Sequence, residues 1–223
     1  MSQRCVLLLG GSFDPVHQGH VALAHRFMTW LAPAELRIIP AGNPWQKGQL
    51  HASPAQRIAL LELAFDAQKN GINIDQQEIH RHTASYSIDT LRAIRAELGL
   101  ETSIVFLMGA DQLQNFHTWH AWRTLFDYAH ICAASRPGFA LEAGQLDPAV
   151  AHEFLRRQGS AKQIRETPWG LTCIKSDVVV DIAATDIRAR LRQSGNDQNQ
   201  AKLATDLSPQ VLDYIQQHHL YQS

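Results

Sequence analysis

The segment Gly10-Gly-Ser-Phe-Asp-Pro-Val-His17-Gln-Gly-His20 gathers residue types that can handle phosphate. Gly10 and Gly11 let the backbone come close to a ligand. His17 and His20 bracket Gly19 where a helix should begin. A helix N-terminus offers unpaired N–H groups and the positive end of the macrodipole, which favour phosphate. The glycine spacing fails the dinucleotide fingerprint G-x-G-x-x-G, and no G-K-[ST] follows, so this is not a P-loop. Phosphate chemistry here would rest on imidazoles and backbone amides. Plainer readings stand beside this one: a Gly-Gly turn, a histidine-capped helix, or a pair of zinc ligands. No H-E-x-x-H and no nearby cysteine pair supports zinc, so no metal site is expected. Each residue alone fits a plain reading; the ordered string is the specific signal.

Strands and helices must hold such a segment in place. Cys5-Val-Leu-Leu-Leu9 is a short apolar run that stops at Gly10, as a strand buried on both faces would. Val21, Ala24, Phe27, Met28 and Leu31 recur at helical spacing. Leu36 to Ile39 reads as a second strand, ending in Pro40-Ala-Gly-Asn-Pro44. Ser53-Pro54 is an N-cap followed by proline at the first helical position, and Asn70-Gly71 stops that helix. The alternation continues with a strand at Ile72 to Ile74 and a helix from Ser87 to Leu98. A strand at Ser103 to Met108 follows, then a short helix at Trp122 to Tyr128 and a strand at His130 to Ala134. Phe139 to Trp169 is less regular, with a helix suggested from Pro148 to Arg157. Thr172 to Ile174 and Val178 to Val180 are short β candidates. Thr185 to Leu191 reads as a helix, Gly195 to Gln200 as a polar turn or linker, and Ser208-Pro209 as the cap of a last helix. Strands alternating with helices imply an α/β fold with a mostly parallel sheet and helices on both faces. The chain should form one domain over residues 1–223, mainly helical from about residue 182.

Composition bounds the function. With 223 residues, 45% hydrophobic and 18% charged, the chain can bury a substantial core. Lys+Arg total 20 against Asp+Glu 21, a net charge of -1, so no basic field marks a nucleic-acid binder. No apolar run reaches the ~18 residues of a membrane span, and the run before Gly10 is too short for a signal-peptide core, so a cytoplasmic protein is expected. Cys5, Cys132 and Cys173 are odd in number and widely spaced, which fits buried thiols better than disulfides or a zinc knuckle.

The string Gly10 to His20 resembles the signature of the nucleotidyltransferase superfamily with the H-x-G-H motif, which has a Rossmann-like fold. The similarity runs over nearly the whole chain and is strongest to the bacterial nicotinate-nucleotide adenylyltransferase branch. Ser85-Tyr86-Ser87 with Asp89-Thr90-Leu91 resembles its Ser-Tyr-Thr segment. Gly109-Ala-Asp111 resembles its Gly-x-Asp, Phe116-His-Thr-Trp119 its Phe-x-x-Trp, and Arg136-Pro137 its Arg-Pro. Ile182-Ala-Ala-Thr-Asp-Ile-Arg188 resembles its Ile-Ser-Ser-Thr-x-Ile-Arg, with Ala183 and Ala184 replacing two serines. The loop that often reads Pro-Pro-His-Lys is Asn43-Pro-Trp-Gln-Lys47 here.

The resemblance implies transfer of an adenylyl group from ATP, with Mg²⁺, to nicotinate mononucleotide. It implies His17 and His20 as catalytic residues. Gly10, Gly11, Ser12, Phe13, His20, Gly109, Asp111, Arg136, Thr185 and Arg188 would bind ATP. Asn43, Lys47, Tyr86, Ser87, Trp119 and His120 would bind the acceptor. No protein metal ligand is implied, and the assembly would be a monomer or small homo-oligomer. For Trp119 a core or lid aromatic is the alternative, and for Arg136 a surface salt bridge; Asp14, before Pro15, reads as a turn former. Competing readings are another adenylyltransferase of the superfamily, such as the one acting on pantetheine phosphate, and a non-catalytic nucleotide-sensing module.

Overall fold

The apolar runs become six strands: β1 (Cys5–Gly11), β2 (Glu35–Pro40), β3 (Asn73–Ile74), β4 (Ser103–Gly109), β5 (His130–Ala134) and β6 (Thr172–Lys175). The structure is a computed structural model that describes residues 3–44, 50–81, 83–134, 146–175, 182–193 and 197–222, and of residues 69, 110 and 111 the backbone. Among the described residues the strands form one sheet in the order β3-β2-β1-β4-β5-β6, with every pairing parallel. Parallel neighbours need crossovers, and helices supply them on both faces. Cys5, Leu7 and Leu9 of β1 enter one hydrophobic cluster, while Val6 and Leu8 enter the other. Burial on both faces is why these strands read as continuous apolar runs rather than alternating ones.

Helix α1 (Gln18–Leu31) turns Leu23, Ala24, Phe27 and Leu31 inward, and α2 (Pro54–Phe65) turns in Leu60, Leu61 and Phe65. Ser53 caps α2 by accepting the Gln56 N–H, with Pro54 at the first helical position. A four-residue turn, α3 (Ala67–Asn70), ends at Gly71 in the left-handed region. The second face carries α4 (Ser87–Leu98), the short α5 (Ala110–Gln114) after β4, and α6 (Pro148–Arg156). The chain closes through α7 (Ala161–Glu166), α8 (Ala184–Arg192), α9 (Asp197–Asp206) and α10 (Pro209–Gln217).

Several expectations need correction. Residues 197–200, read as turn or linker, open helix α9. Only Leu203 and Asp206 of that helix are buried, so it has no apolar stripe to read; Asp206 instead ion-pairs Arg190 at 3.0 Å and Lys202 at 2.9 Å. The irregular stretch before Trp169 contains α7, which Ser160 caps. The helix expected at Trp122 to Tyr128 is 3₁₀ over Trp122–Asp127. The β candidate at Val178 to Val180 lies outside the described residues.

Strand order reverses between β1 and β4, whose register pairs Leu9 with Leu107. The carboxyl ends of these strands, Gly10-Gly11 and Gly109, therefore flank the crevice where open parallel sheets bind ligands.

Candidate active site

The β1–α1 loop is built around two close approaches. A Cβ on Gly11 would lie 2.9 Å from the Phe13 ring, and one on Gly10 would lie 3.2 Å from the Phe106 ring. Phe13 makes this possible by adopting φ 49, in the left-handed region that a bulky residue rarely visits. Its ring is buried beneath Gly11 and meets His20 edge-on, with centroids 4.9 Å apart. His17 is the N-cap residue of α1 and is itself buried. Its backbone N–H donates to His20 Nδ1 at 3.2 Å, and the two imidazoles stack with centroids 3.8 Å apart. A backbone amide can only donate, so Nδ1 must be the unprotonated nitrogen of a neutral His20 ring. The proton then sits on Nε2, which makes that atom a donor suited to an anionic oxygen.

Asp14 lies in the turn the sequence suggested, but its carboxylate does more. It is 3% exposed and accepts the backbone N–H groups of His51 at 2.8 Å and Ala52 at 3.0 Å. Arg188, from α8, donates to the Asp14 carbonyl oxygen at 2.6 Å. That bond joins the late motif to the first loop across most of the chain. Ala183, standing where the family has serine, is the N-cap residue of α8 and supplies no side-chain cap. Thr185 is exposed in the first turn of the same helix.

A second group of residues sits after β2 and before α4. Asn43 N–H donates to Ser85 Oγ at 3.2 Å, and Ser85 N–H returns a bond to the Asn43 carbonyl at 3.0 Å. Beneath them Glu78 is buried and accepts the Thr90 hydroxyl at 2.7 Å. Burial raises the Glu78 pKa above the usual carboxylate range, against the opposing pull of Thr90, Arg81, Ser85 and the Gly42 amide. Gly42 has no room for a side chain, since a Cβ would lie 1.8 Å from the Glu78 carbonyl oxygen. Tyr86 is the N-cap residue of α4, with Ser87 the first helical residue, and the Tyr86 ring lies 4.7 Å from that of exposed His120. Trp119 is half-buried against Phe116 and Phe106, with ring centroids 5.4 and 6.2 Å away. Its Nε1 is buried and has no hydrogen-bond partner among the described residues.

Of the sequence-predicted site, the structure brings Gly10, Gly11, Ser12, Phe13, His17, His20 and Arg188 to one loop. Asn43, Tyr86 and Ser87 share a second locus; His120 stacks on Tyr86, and Trp119 precedes it. Gly109 ends β4 at the crevice and is the N-cap residue of α5. Lys47 and Arg136 lie outside the described residues, as does the Asp111 side chain. Among the described residues no group of three or more His, Cys, Asp or Glu side chains could hold a metal ion. Sequence reasoning missed Arg57, Glu78 and Tyr221. Only Arg57 had a readable signal, a charge placed on the apolar stripe of α2.

A parallel sheet that reverses its order beside a glycine–histidine loop defines the class: an α/β enzyme that handles nucleotides. The sequence profile described as cytidylyltransferase-like matches residues 8–190. The chain is 59% identical over 220 residues to a protein of Herminiimonas arsenicoxydans named "Probable nicotinate-nucleotide adenylyltransferase", covering 99% of this chain and 98% of that one. A protein of the same name from Laribacter hongkongensis is 43% identical over 216 residues, covering 97% and 94%. The chain therefore belongs to the nicotinate-nucleotide adenylyltransferases, within the cytidylyltransferase-like family. The fold agrees with a solved structure described as Plasmodium falciparum nicotinic acid mononucleotide adenylyltransferase complexed with NaAD. That match has a TM-score of 0.73 at 17% identity and covers 98% of both chains.

Proposed function

We propose that this nucleotidyltransferase transfers the adenylyl group of ATP to nicotinate mononucleotide, giving nicotinate adenine dinucleotide and pyrophosphate. The observation that carries the reading is the His17–His20 pair at the sheet's switch point, with Arg188 docked on the same loop. An oxygen of the acceptor's 5′-phosphate attacks the α-phosphorus of ATP. The bond from that phosphorus to the bridging oxygen breaks, and pyrophosphate leaves with the electron pair. The attacking phosphate is already ionised near pH 7, so no side chain need act as base. Catalysis is then positioning and stabilisation of charge on phosphoryl oxygens.

His20 donates from Nε2 to the α-phosphate as charge develops there, and His17 fixes the ring that does so. Gly11 and Ser12 offer backbone amides at the end of β1. Arg188 serves the β- and γ-phosphates, joined by Thr185, Arg136 and the start of α8. Asp111 contacts the adenosine side. Asn43, Ser87 and Trp119 face the acceptor nucleotide, with Lys47, Tyr86 and His120 nearby. Mg²⁺ arrives as part of the ATP substrate, held by phosphate oxygens and water.

The reading is of one domain in the cytoplasm with small-molecule partners. Among the described residues no helix is long and apolar enough to cross a membrane. The test is pyrophosphate release from ATP and Mg²⁺ with nicotinate mononucleotide, nicotinamide mononucleotide or pantetheine phosphate as acceptor. Release with the first is expected. Release only with pantetheine phosphate, or none with any acceptor, would refute the proposal.

A further inference from the structure

Helix α2 carries one charge that its packing does not need. Leu60 and Leu61 lie on its inner face, and Arg57, one turn earlier on that face, is 1% exposed. Burial lowers the pKa of this guanidinium from the usual arginine value, opposed first by the nearby Asp14. Its Nη1 donates to the Ser12 carbonyl oxygen at 2.9 Å, while Nε has no hydrogen-bond partner among the described residues. An apolar side chain would fill the same core without the desolvation cost of a charge. What the guanidinium touches is the loop that carries the phosphate chemistry.

Ser12 to Asp14 have no regular secondary structure and are held from several sides. Arg57 takes the Ser12 carbonyl and Arg188 the Asp14 carbonyl. The amides of His51 and Ala52 take the Asp14 carboxylate. Tyr221, 5% exposed, buries its hydroxyl beside that carboxylate. Between these anchors Phe13 stands in its left-handed conformation, with its ring under Gly11 and against His20. A carbonyl oxygen turned toward a triphosphate would repel it. A guanidinium behind the loop engages that oxygen and adds a positive charge on the buried side.

We propose that Arg57 is a positioning residue for adenylyl transfer: by holding the Ser12 carbonyl it sets the Gly11–Phe13 backbone and, through Phe13, the His20 ring for the triphosphate. Arg57 acts through Ser12 and Phe13 and touches no substrate. The inference rests on ATP being the nucleotide at this loop, as in the reaction proposed above. The device serves the ATP half of the site: Arg57 hydrogen-bonds the Ser12 carbonyl, whereas Asn43 and Ser85 bond each other above Glu78, whose carboxylate acts on Arg57 only through space.

The experiment compares Arg57→Met and Arg57→Lys with the unaltered full chain. Tm is measured, with kcat and KM for ATP and nicotinate mononucleotide, and calorimetric binding of each nucleotide alone. Arg57→Met should lose about 10–100-fold in kcat/KM for ATP, the scale expected when reacting groups are slightly misplaced. KM and affinity for nicotinate mononucleotide should stay within about twofold. Arg57→Lys keeps the charge and one donor but not the planar fork, so it should recover part of the loss. ATP parameters within about twofold of the unaltered chain in a folded Arg57→Met would overturn the proposal. So would equal losses for both nucleotides that track a fall in Tm, which mark a purely structural role. If Arg57→Met does not fold, Arg57→Lys decides: an ATP-selective loss supports the proposal, and no change or an equal change refutes it. An unaltered chain that binds ATP but does not adenylate nicotinate mononucleotide would refute the proposed reaction. The calorimetric split between nucleotides would still test Arg57.

Discussion

His130 opens β5 with its ring fully buried and both nitrogens committed. Nδ1 accepts the Leu171 N–H at 3.0 Å and Nε2 donates to the Thr167 carbonyl at 2.8 Å. Protonation would put a second hydrogen on Nδ1, break the Leu171 bond and bury a charge. Burial, with Arg95 adding to it and the carbonyl bond opposing, lowers the pKa to about 4 from 6.5. The unfolded chain thus binds a proton near pH 6.5 that the folded chain refuses until about pH 4. Stability from this group is complete above pH 6.5 and is lost as pH falls through that window. Linkage makes the loss between pH 7 and pH 5 about 2 kcal/mol, a sizeable part of the ~5–15 kcal/mol typical of a domain. The perturbation is His130→Asn, which removes the titration. Its own cost from the lost contacts does not vary with pH over this range. The assay is the urea midpoint of both proteins at half-unit steps from pH 7.5 to pH 4.5. Glu35, Glu97 and Glu153, whose pKa values are lowered by arginine partners, lose stability in acid too, but equally in both proteins. The gap between the two curves should therefore close by about 2 kcal/mol on going to pH 5. Parallel curves would refute the reasoning. The result also bears on the site: a pH–rate profile run on His130→Asn has an acid limb free of this core titration.

Other outcomes follow from the site. His20→Ala should lower kcat by roughly 10²-fold or more with Tm little changed, because a donor preorganised on the α-phosphate is lost while the core is kept; near-normal turnover in a folded variant would reject the role. Gly42→Ala must push the Asn43 loop off Glu78, so KM for the acceptor should rise about tenfold or more with KM for ATP almost unmoved, and steady-state kinetics with each substrate varied would reveal the opposite pattern if the loops were misassigned. Nicotinate mononucleotide should be preferred to nicotinamide mononucleotide by at least about tenfold in kcat/KM. Amides near Ser87 and Trp119-His120 donate to a carboxylate but meet one N–H of an amide; equal values for the two would overturn the acceptor assignment and leave adenylyl transfer intact.

The sheet was legible because its strands are buried on both faces. Ser103 to Met108 and His130 to Ala134 could be marked almost to the residue from apolar runs that end in glycine or arginine-proline. Capping made α2 and α10 legible, since Ser-Pro pairs announce both. Helix α9 was hidden because ion pairs at Asp206, rather than an apolar stripe, fasten it. The short α5, of 5 residues, has too few turns to show a period. Within the site, the ordered glycines and histidines were readable as chemistry. Their supports were not, because Glu78 and Asp14 act through backbone amides of residues distant in sequence. A side chain that grips a backbone leaves no pattern of residue types to recognise.

That division between readable reagents and hidden supports follows from the reaction itself. A phosphate that attacks without a base needs no tuned acid–base pair. Nothing in the site must change charge for the step to occur, so the rate depends on how well donors are held in place. The loop leaves regular structure after Gly11, the last residue of β1, where Phe13 takes a left-handed φ that brings its ring under Gly11. Irregular backbone leaves carbonyls and amides that need partners. Water could satisfy them but would leave the loop free to move. Charged side chains satisfy them and fix direction too, since buried Arg57 and Asp14 and half-buried Arg188 each bond to backbone. The desolvation of those charges costs stability that an apolar core would have kept. The fold carries such charges elsewhere too, at Arg37 of β2, Arg95 of α4 and Asp206 of α9, each held by carboxylates, carbonyls or cations. What sets Arg57 and Asp14 apart is that their bonds fix the β1–α1 loop, so there the desolvation cost is exchanged for preorganisation.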